Sequence, residues 1–432
     1  MARPLTLAAA ALATTAALLM PTAPSTAAPT GDRADKTPTT FAFRGSGFGT
    51  RVQGGQLPAG SDTTAYQSIG CTNLAGLDSE NHEANADLGG LTAAGIRSHV
   101  WTEQKNGVTS TYSQHSVAKI TLGTADTGIL EINAVKSLAR AFHNSTGYHA
   151  QTTTHIASIF YTPNGGDPQG QEIPTPDQPL KIPGLATISI GSHVKRHSGS
   201  AAYAAANAID IKVIPTDTRV RVAHSAAQLS GGVTYGLFRG YAAATRVRAV
   251  DDKVSSGPTP LMLMPCQGTH GKTFNKDAAR LDLANDSLGV HGAHVEQWSQ
   301  GDRDHAAIHE EASVARINLG GGQLVVKGIA GSAHVMLARG SHIRSNAKGT
   351  HVLAIIVNGD ERHFPKSGVI EIPGLVRIHD SIVNRTKTGI KVTALRLTLL
   401  DGTGAKVDLG VARASIRRSG LSRSVLSGIP GV

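Results

Sequence analysis

The sequence predicts an all-β protein built from two tandem homologous domains, each an antiparallel β-sandwich. Three observations predict this: long segments recur in one order, apolar and polar residues alternate with a period of two, and amphipathic helical patterns are missing. Scarce aromatic residues and plentiful glycine agree with closely packed sheets and many turns. A β-solenoid is the alternative architecture, but no period of about 20 to 50 residues recurs inside either copy.

The duplication is visible as matched segments at a nearly constant offset, which is 195 residues for the two cysteines and for the first match below. The matched segments are Phe43-Arg44-Gly45 with Phe238-Arg239-Gly240, Cys71 with Cys266, Ser116–Ile120 with Ser313–Ile317, and Ile182–Leu185 with Ile372–Leu375. Because the matches keep one order from end to end, duplication of a whole unit explains them better than chance similarity.

The matches and the local composition divide the chain into six segments. In chain order, we predict a signal peptide at 1–28, a disordered linker at 29–40, the first β domain at 41–229, a linker at 230–235, the second β domain at 236–420, and a loose tail at 421–432. The signal is predicted because Arg3 precedes the apolar run Leu5–Leu19 and the small residues Ser25–Ala28. Each copy is long enough to bury a core.

Alternating residues predict the strands, and turn residues predict where hairpins close. Leu130 and Ile132 alternate with polar neighbours in the first copy, as do the leucines of 395–399 in the second. Such alternation turns one face to the core and the other to water. Asn164-Gly165 and Asn358-Gly359 predict tight hairpins, because both residue types readily take positive φ.

Small side chains predict how closely the sheets pack. We expect Ala118, Ala139 and Ala315 to point inward, where their size would let facing sheets approach each other.

The formal net charge of +10 favours anionic partners. The basic residues are scattered rather than gathered in dense tracts, so we expect no nucleic-acid partner and name cell-wall polymers or polysaccharide as candidate partners. No motif for a cofactor is present, and none is expected. After the signal, no apolar run reaches the roughly 20 residues that span a membrane.

Three segments of each copy carry a resemblance to a known family. They are the early lone cysteine, the stretches 116–141 and 313–335 with their Ser-Val-Ala-x-Ile start, and the closing alternating strand. In these segments the chain resembles the choice-of-anchor P family of exported actinobacterial proteins. The resemblance implies a β-rich extracellular region and brings no catalytic residues. Because no recognisable anchor follows the second copy, we expect secretion, or surface retention without a covalent anchor.

One cysteine in each copy of an exported chain predicts a disulfide between Cys71 and Cys266. Equivalent positions of two similar domains meet most simply on an axis that relates the domains. Two buried free thiols and intermolecular pairing are the alternatives.

The recurring ionisable residues are few, and we expect the protein not to be an enzyme. The alternative is a secreted hydrolase that uses a set of the Ser116, His99 and Asp87 type, recurring as Ser313, His294 and Asp282. A catalytic serine needs a base within hydrogen-bond reach and an oxyanion pocket, and the sequence indicates neither. In particular, no nucleophile-elbow motif surrounds Ser116.

A histidine and glutamate cluster in the second copy is the strongest candidate for a metal site. His305 and His309 would share one face of a strand, next to Glu310 and Glu311. The first copy has no matching cluster, and the spacing is not that of a known zinc motif. We therefore expect no metal site.

Trp101 and Trp298 are the two tryptophans, and they lie at nearly equivalent places in the two copies. Flat aromatic rings are the side chains on which sugars stack. The pair makes glycan stacking a further candidate function.

Overall fold

The computed structural model describes residues 36–54, 60–61, 63–88, 91–249, 254–255, 258–283, 288–400, 402 and 404–427. The predicted signal peptide, residues 29–35 of the first predicted linker and residues 428–432 of the predicted tail lie outside the described residues. Over the described part, the predicted fold class is confirmed, because the chain forms antiparallel strands in four sheets.

The described residues of the first copy form fifteen strands. They are β1 (Thr37–Gly54), β2 (Gly60–Ser61), β3 (Gln67–Ala75), β4 (Asp78–Asp87), β5 (Leu91–Lys105), β6 (Val108–Thr124), β7 (Gly128–Asn144), β8 (Gly147–His155), β9 (Ser158–Thr162), β10 (Gln169–Gln171), β11 (Leu180–Ile182), β12 (Ala186–Ile190), β13 (His193–His197), β14 (Ala201–Val213) and β15 (Thr218–Ser230).

The second copy repeats this order with fourteen strands and two short helical segments. The strands are β16 (Gly236–Ala249), β17 (Val254–Ser255), β18 (Thr259–Leu263), β19 (Phe274–Leu283), β20 (Leu288–Gly301), β21 (His305–Leu319), β22 (Leu324–Ala338), β23 (Arg344–Asn346), β24 (His351–Val357), β25 (Asp360–Arg362), β26 (Val369–Ile372), β27 (Val376–Thr386), β28 (Gly389–Leu399) and β29 (Lys406–Arg418). A 3₁₀ turn occupies Gly320–Gly322, and the helix α1 occupies Arg423–Ser427.

The strand order is the same in the two copies except at one edge of one sheet. Sheet 1A has the order β11-β12-β14-β15-β1-β3, and sheet 2A has the order β26-β27-β28-β29-β16-β17-β2. At that edge sheet 1A ends in β3, whereas sheet 2A ends in β17 and the first copy's β2. Sheet 1B has the order β10-β9-β7-β6-β5-β4, and sheet 2B has the order β25-β24-β22-β21-β20-β19. Shorter strands flank these paths: β13 pairs with β14, β8 with β7, β18 with β16, and β23 with β22.

Each copy buries its main core between its A sheet and its B sheet. In the first copy, Val117 and Ile132 of sheet 1B pack in one cluster with Ile209 of sheet 1A. In the second copy, Val314 of sheet 2B packs with Leu395 of sheet 2A. Full burial of such side chains stabilises the fold by about 1.5–3 kcal/mol each.

Sheets 2A and 2B approach each other closely at Gly331. A Cβ atom placed on Gly331 would lie 1.9 Å from the carbonyl oxygen of Gly410 in the opposite sheet. Ala139 is buried, as predicted, whereas Ala118 and Ala315 are exposed. The predictions for Ala118 and Ala315 are wrong because the strand pairing is interrupted at both alanines. Each lies opposite a glycine with positive φ, Gly95 or Gly292, and neither has a pairing partner there.

The predicted hairpins differ from each other. Asn358 and Gly359 both have positive φ and form the two-residue turn between β24 and β25, as predicted. At the equivalent place Gly165 has positive φ but Asn164 does not. The reason is a longer connection in the first copy, where Tyr161 pairs with Gln169 across the loop.

Three predicted flexible segments are packed. Strand β1 begins at Thr37, inside the predicted linker, because Thr39 donates a hydrogen bond from Oγ1 to the carbonyl of Asn73. In the linker at 230–235, Val233 and Tyr235 are buried. The tail is not loose over 421–427, because α1 inserts Leu426 into the core with no exposed surface.

The two copies are joined by covalent, polar and apolar contacts. Cys71 and Cys266 form a disulfide with a Cα–Cα distance of 5.2 Å, which confirms the predicted pair over free thiols and intermolecular bonding. The Asn73 amide donates to the carbonyl of Ser419 at 2.8 Å. Ala42 of the first copy belongs to a buried cluster whose other members come from the linker at 230–235, the second copy and the tail.

Candidate functional site

The outer faces of the two B sheets carry equivalent rows of side chains. In the first copy, Trp101 pairs with Tyr112, which pairs with Arg140 on the next strand. The residues that precede them in the chain, Val100, Thr111 and Ala139, are buried. Because successive side chains of a strand alternate between faces, the side chains of Trp101, Tyr112 and Arg140 point away from the core.

The second copy builds the same row from Trp298, His309 and His334. Trp101 and Trp298 each follow the skipped glycine, Gly95 or Gly292, by six residues. The two tryptophans are therefore structurally equivalent.

Protein rings engage the indole of Trp101. His99 stacks on it with ring centroids 4.3 Å apart, and Tyr112 stacks on it at 4.5 Å with planes only 6° apart. The guanidinium of Arg140 continues the stack, 5.0 Å from the Tyr112 centroid and 4.2 Å from the centroid of Phe142. A ligand ring would have to displace these contacts to reach the faces of Trp101.

Trp298 is held differently. Its neighbour in the row, His309, stacks instead on His334 at 4.2 Å. Among the described residues no ring is stacked on Trp298, whose indole Nε1 donates to the carbonyl of Gly271 at 3.0 Å. That hydrogen bond fixes the edge of the ring and leaves a face for a ligand.

A cavity of about 370 Å³ lies beside Trp298. Its volume falls in the range of small-molecule sites. The side chains that give it chemical character are Trp298, Gln300, Asp302, His305, Met336, His342 and Arg344. Met336 is 59% exposed and supplies apolar surface to the cavity.

The loop that forms one wall of this cavity is held by its own hydrogen bonds. Asp302 Oδ1 accepts from the backbone amides of Asp304 and His305, at 2.7 and 2.6 Å. Arg339 and Arg423 bind Asp304 from two sides, and these contacts lower its pKa, with the hydrogen bond from Arg339 as the main cause. The wall is thus preorganised rather than assembled by a ligand.

The candidate hydrolase residues do not meet in one site. Asp78 contacts the His99 imidazole at 3.0 Å. Asp87 pairs with Thr92, seven residues along β4 from the partner of His99, which places it roughly 23 Å away at about 3.3 Å per residue. Ser116 pairs with Arg97 on the neighbouring strand.

The strand pairing also shows that the two histidines of that set, His99 and His294, do not occupy equivalent positions. His99 is equivalent to Glu296 rather than to His294, because the second copy is two residues longer between Asp282 and Leu288. His294 instead contacts Asp277 at 2.6 Å.

Two groups of possible metal ligands lie on sheets 1B and 2B. Asp78, Glu80 and His99 place ligand atoms within 4.8 Å of one another, but Glu80 is already paired with Arg97 at 2.7 Å. This group forms part of a surface ion-pair network. The histidine and glutamate cluster in β21 is split, because Glu310 is buried in the core while His309 lies on the outer face.

The sequence identified Trp298, and it singled out His305 only as a possible metal ligand; the other lining residues of the cavity were missed. Met336 lies in β22, His342 in the connection that follows it and Arg344 at the start of β23, about forty residues away in sequence. No repeat marks them, because the first copy has Phe142 where the second has Met336.

Comparison with protein-family models gives no match for this chain, and comparison with curated proteins gives no match either. Within the described residues, no helix combines the length and the apolar character needed to cross a bilayer.

Proposed function

We propose that this chain is an exported, non-enzymatic protein of the cell surface or extracellular space that binds a glycan of the cell envelope in the cavity beside Trp298. The cavity carries the proposal, because it joins a free aromatic face to several hydrogen-bonding groups. Aromatic rings provide a flat apolar contact, and a few placed polar groups then fix the orientation of a ligand.

The polar rim favours a glycan with acidic groups. Arg344 and His342 can donate to ring hydroxyls or carboxylates, while Gln300 can both donate and accept. The acidic residue among the described lining, Asp302, already accepts from two backbone amides and lies 3.6 Å from His305. A guanidinium matches a carboxylate with two parallel hydrogen bonds. This agrees with the net charge of +10, which attracts acidic polymers at longer range.

The disulfide supports an extracellular location. Structural disulfides persist in oxidising compartments and are rare in the cytosol. Membership in the choice-of-anchor P family and the signal peptide stay predictions, and they are compatible with this location.

The test is a binding screen against neutral and acidic polysaccharides, followed by calorimetric titration of the strongest hit. Trp298→Ala should weaken binding at least tenfold, because it removes the stacking face. The matched variant Trp101→Ala should leave affinity within twofold, since the Trp101 ring is already stacked. Equal affinity of Trp298→Ala and the native protein would contradict the proposed site.

A second readout addresses the claim that the protein is not an enzyme. Prolonged incubation with the bound polysaccharide should release no new reducing ends. Their release by the native protein would favour the hydrolase alternative.

A further inference from the structure

A second cavity, of about 220 Å³, lies where the two copies meet. The described residues that line it from the first copy are Arg44, Gly45, Ser46, Tyr66, Ser68, Ile69, Gly70 and Cys71, and those from the second are Arg239, Gly240, Tyr241, Leu263, Met264 and Arg413. Residues 44–46 and 239–241 are equivalent segments of β1 and β16, so the cavity lies on the axis of the duplication.

The duplication brings two equivalent arginines together. Arg44 and Arg239 have the same 195-residue offset as the disulfide partners, and Cys71 lines the same cavity. A Cβ atom on Gly70 would lie 2.9 Å from Nη1 of Arg239. The guanidinium of the second copy therefore crosses the backbone of the first, in space that only glycine leaves open.

A third guanidinium comes from Arg413, which pairs with Tyr241 on the neighbouring strand. Arg413 has no charged equivalent, because the first copy has Ala226 at that place in its own pairing with Ser46. Three strands of two copies thus supply three positive charges to one cavity.

These arginines have no anionic partner in the described part of the chain. None of the three guanidiniums makes a hydrogen bond or ion pair with a described residue, and none of the described lining residues is acidic. The contrast is with Asp408, a buried carboxylate bound by Arg248 at 3.1 Å and Arg396 at 2.6 Å.

Arg44 bears the electrostatic cost of holding a positive charge in a buried place beside a second guanidinium. Burial is the main cause that lowers its pKa, and the positive charge of Arg239 lowers it further, against an opposing effect of Tyr66. An anion bound between Arg44 and Arg239 would replace this repulsion with two attractive contacts.

We propose that the cavity between the copies is a binding site for a phosphoryl group. Arginine recognises phosphate through paired N–H donors, and three guanidiniums offer more donors than the two oxygens of a carboxylate can accept. The site is separate from the cavity beside Trp298, which belongs to the face of sheet 2B, so either proposal can fail alone.

The experiment is calorimetric titration of the full native protein with inorganic phosphate at low ionic strength. Arg44→Gln and Arg239→Gln should each weaken phosphate binding at least tenfold. The control is Arg196→Gln, which removes the same charge three strands from Arg44 on the same face of sheet 1A. Absence of binding by the native protein, or equal weakening by the control, would overturn the proposal.

Further arms define the ligand and guard against misfolding. Acetate should bind at least tenfold more weakly than phosphate, and equal binding would refute a phosphoryl site. A glycerol phosphate oligomer that binds better than inorganic phosphate would support a polymer-borne phosphodiester, whereas the reverse order would support free phosphate. Arg44→Lys keeps the charge but loses the paired donors, so an unchanged affinity with a native melting temperature would also count against the proposal.

Discussion

Trp101 and Trp298 occupy equivalent strand positions, but the ring of Trp101 is stacked by His99 and Tyr112 while the ring of Trp298 borders a cavity. Duplication has thus produced two copies of one platform, in which the first is filled by protein side chains. Because the surroundings of the two rings differ, each tryptophan can be studied by itself in a variant that lacks the other.

Fluorescence quenching should distinguish the two rings. In Trp101→Phe, the remaining Trp298 should be quenched by acrylamide at least twofold more efficiently than Trp101 is in Trp298→Phe, because neighbouring rings cover Trp101. The polysaccharide identified by the screen should protect Trp298 and leave Trp101 unchanged. Stronger quenching of Trp101 would show that the stacking is not maintained in solution.

Glu310→Gln should stabilise the protein at alkaline pH. Glu310 is fully buried, neither carboxylate oxygen has a hydrogen-bond partner among the described residues, and burial raises its pKa well above the usual value. The pKa of Glu310 is higher in the folded protein than in the unfolded chain. The native protein therefore has its full stability below the unfolded pKa, where Glu310 is protonated in both states, and loses stability as the pH rises through the folded pKa. We expect the free energy of unfolding at pH 9 to rise by about 1–3 kcal/mol in the variant.

Urea unfolding at pH 9 and pH 4 measures this effect. The variant should gain less at pH 4, where the native glutamate is already neutral. The exposed Glu361→Gln serves as the control and should change stability little at either pH. An equal change in Glu310→Gln at both pH values would contradict the assigned burial.

Acid should destabilise the first copy through His115, which is buried, and His224, which is half-buried. His115 accepts and donates hydrogen bonds with Ser113 at 2.8 Å and Ser98 at 2.7 Å, and burial lowers its pKa to about 3. Burial likewise lowers the pKa of His224 to about 4. The pKa of each histidine is lower in the folded protein than in the unfolded chain, where it is about 6.5. The free energy of unfolding is therefore highest above about pH 6.5. As the pH falls from there toward the folded pKa, it drops by about 1.4 kcal/mol per histidine for each pH unit.

Urea midpoints measured from pH 7 to pH 4 test this dependence. His115→Gln keeps polar groups near the two serines. It should reduce the slope of stability against pH by the contribution of one histidine. The exposed His155→Gln should keep the native slope. An unchanged slope in His115→Gln would mean that His115 does not stay neutral in the folded protein.

Gly331→Ala should destabilise the second copy by about 1–3 kcal/mol or more, because the new methyl group would meet the carbonyl oxygen of Gly410. Gly199→Ala is the matched control, since a Cβ atom there meets nothing within 4 Å. Thermal unfolding of both variants measures the difference. Equal melting temperatures would argue against the close approach of sheets 2A and 2B.

Replacing both cysteines by serine should lower the free energy of unfolding by about 2–5 kcal/mol. The disulfide closes a loop of 195 residues, so its loss frees a long segment of the unfolded chain. Denaturant unfolding with and without reductant measures the change, and the double variant should be insensitive to reductant. A native protein that is also insensitive would contradict a structural role of the bond.

Much of the fold could be predicted because the relevant signals are local or repeated. Alternation of residues such as Leu130 and Ile132 identified strands, and the recurrence of one cysteine per copy identified the disulfide. The packed linker around Val233 could not be predicted, because glycine and serine around it have the composition of a flexible joint. Its order comes from contacts with the second copy, which local composition does not encode.

The candidate sites were less predictable for the same physical reason. Trp298 stood out by its type, but Arg344 reaches the cavity through the fold of sheet 2B rather than through a motif. Arg44 and Arg239 recurred plainly in the sequence, yet their meeting depends on how the copies face each other. A repeat reveals which residues are equivalent, and it does not reveal which of them become neighbours.

The buried contribution of Ala42 to the second copy and the Cys71–Cys266 bond have a consequence for ancestry. Ala42 of one half completes a buried cluster of the other, so a lone unit would have left that cluster partly uncovered. The simplest ancestor is a homodimer linked by one cystine on its twofold axis. Gene fusion would then have made a permanent pair of what had been two chains, freeing each half to diverge.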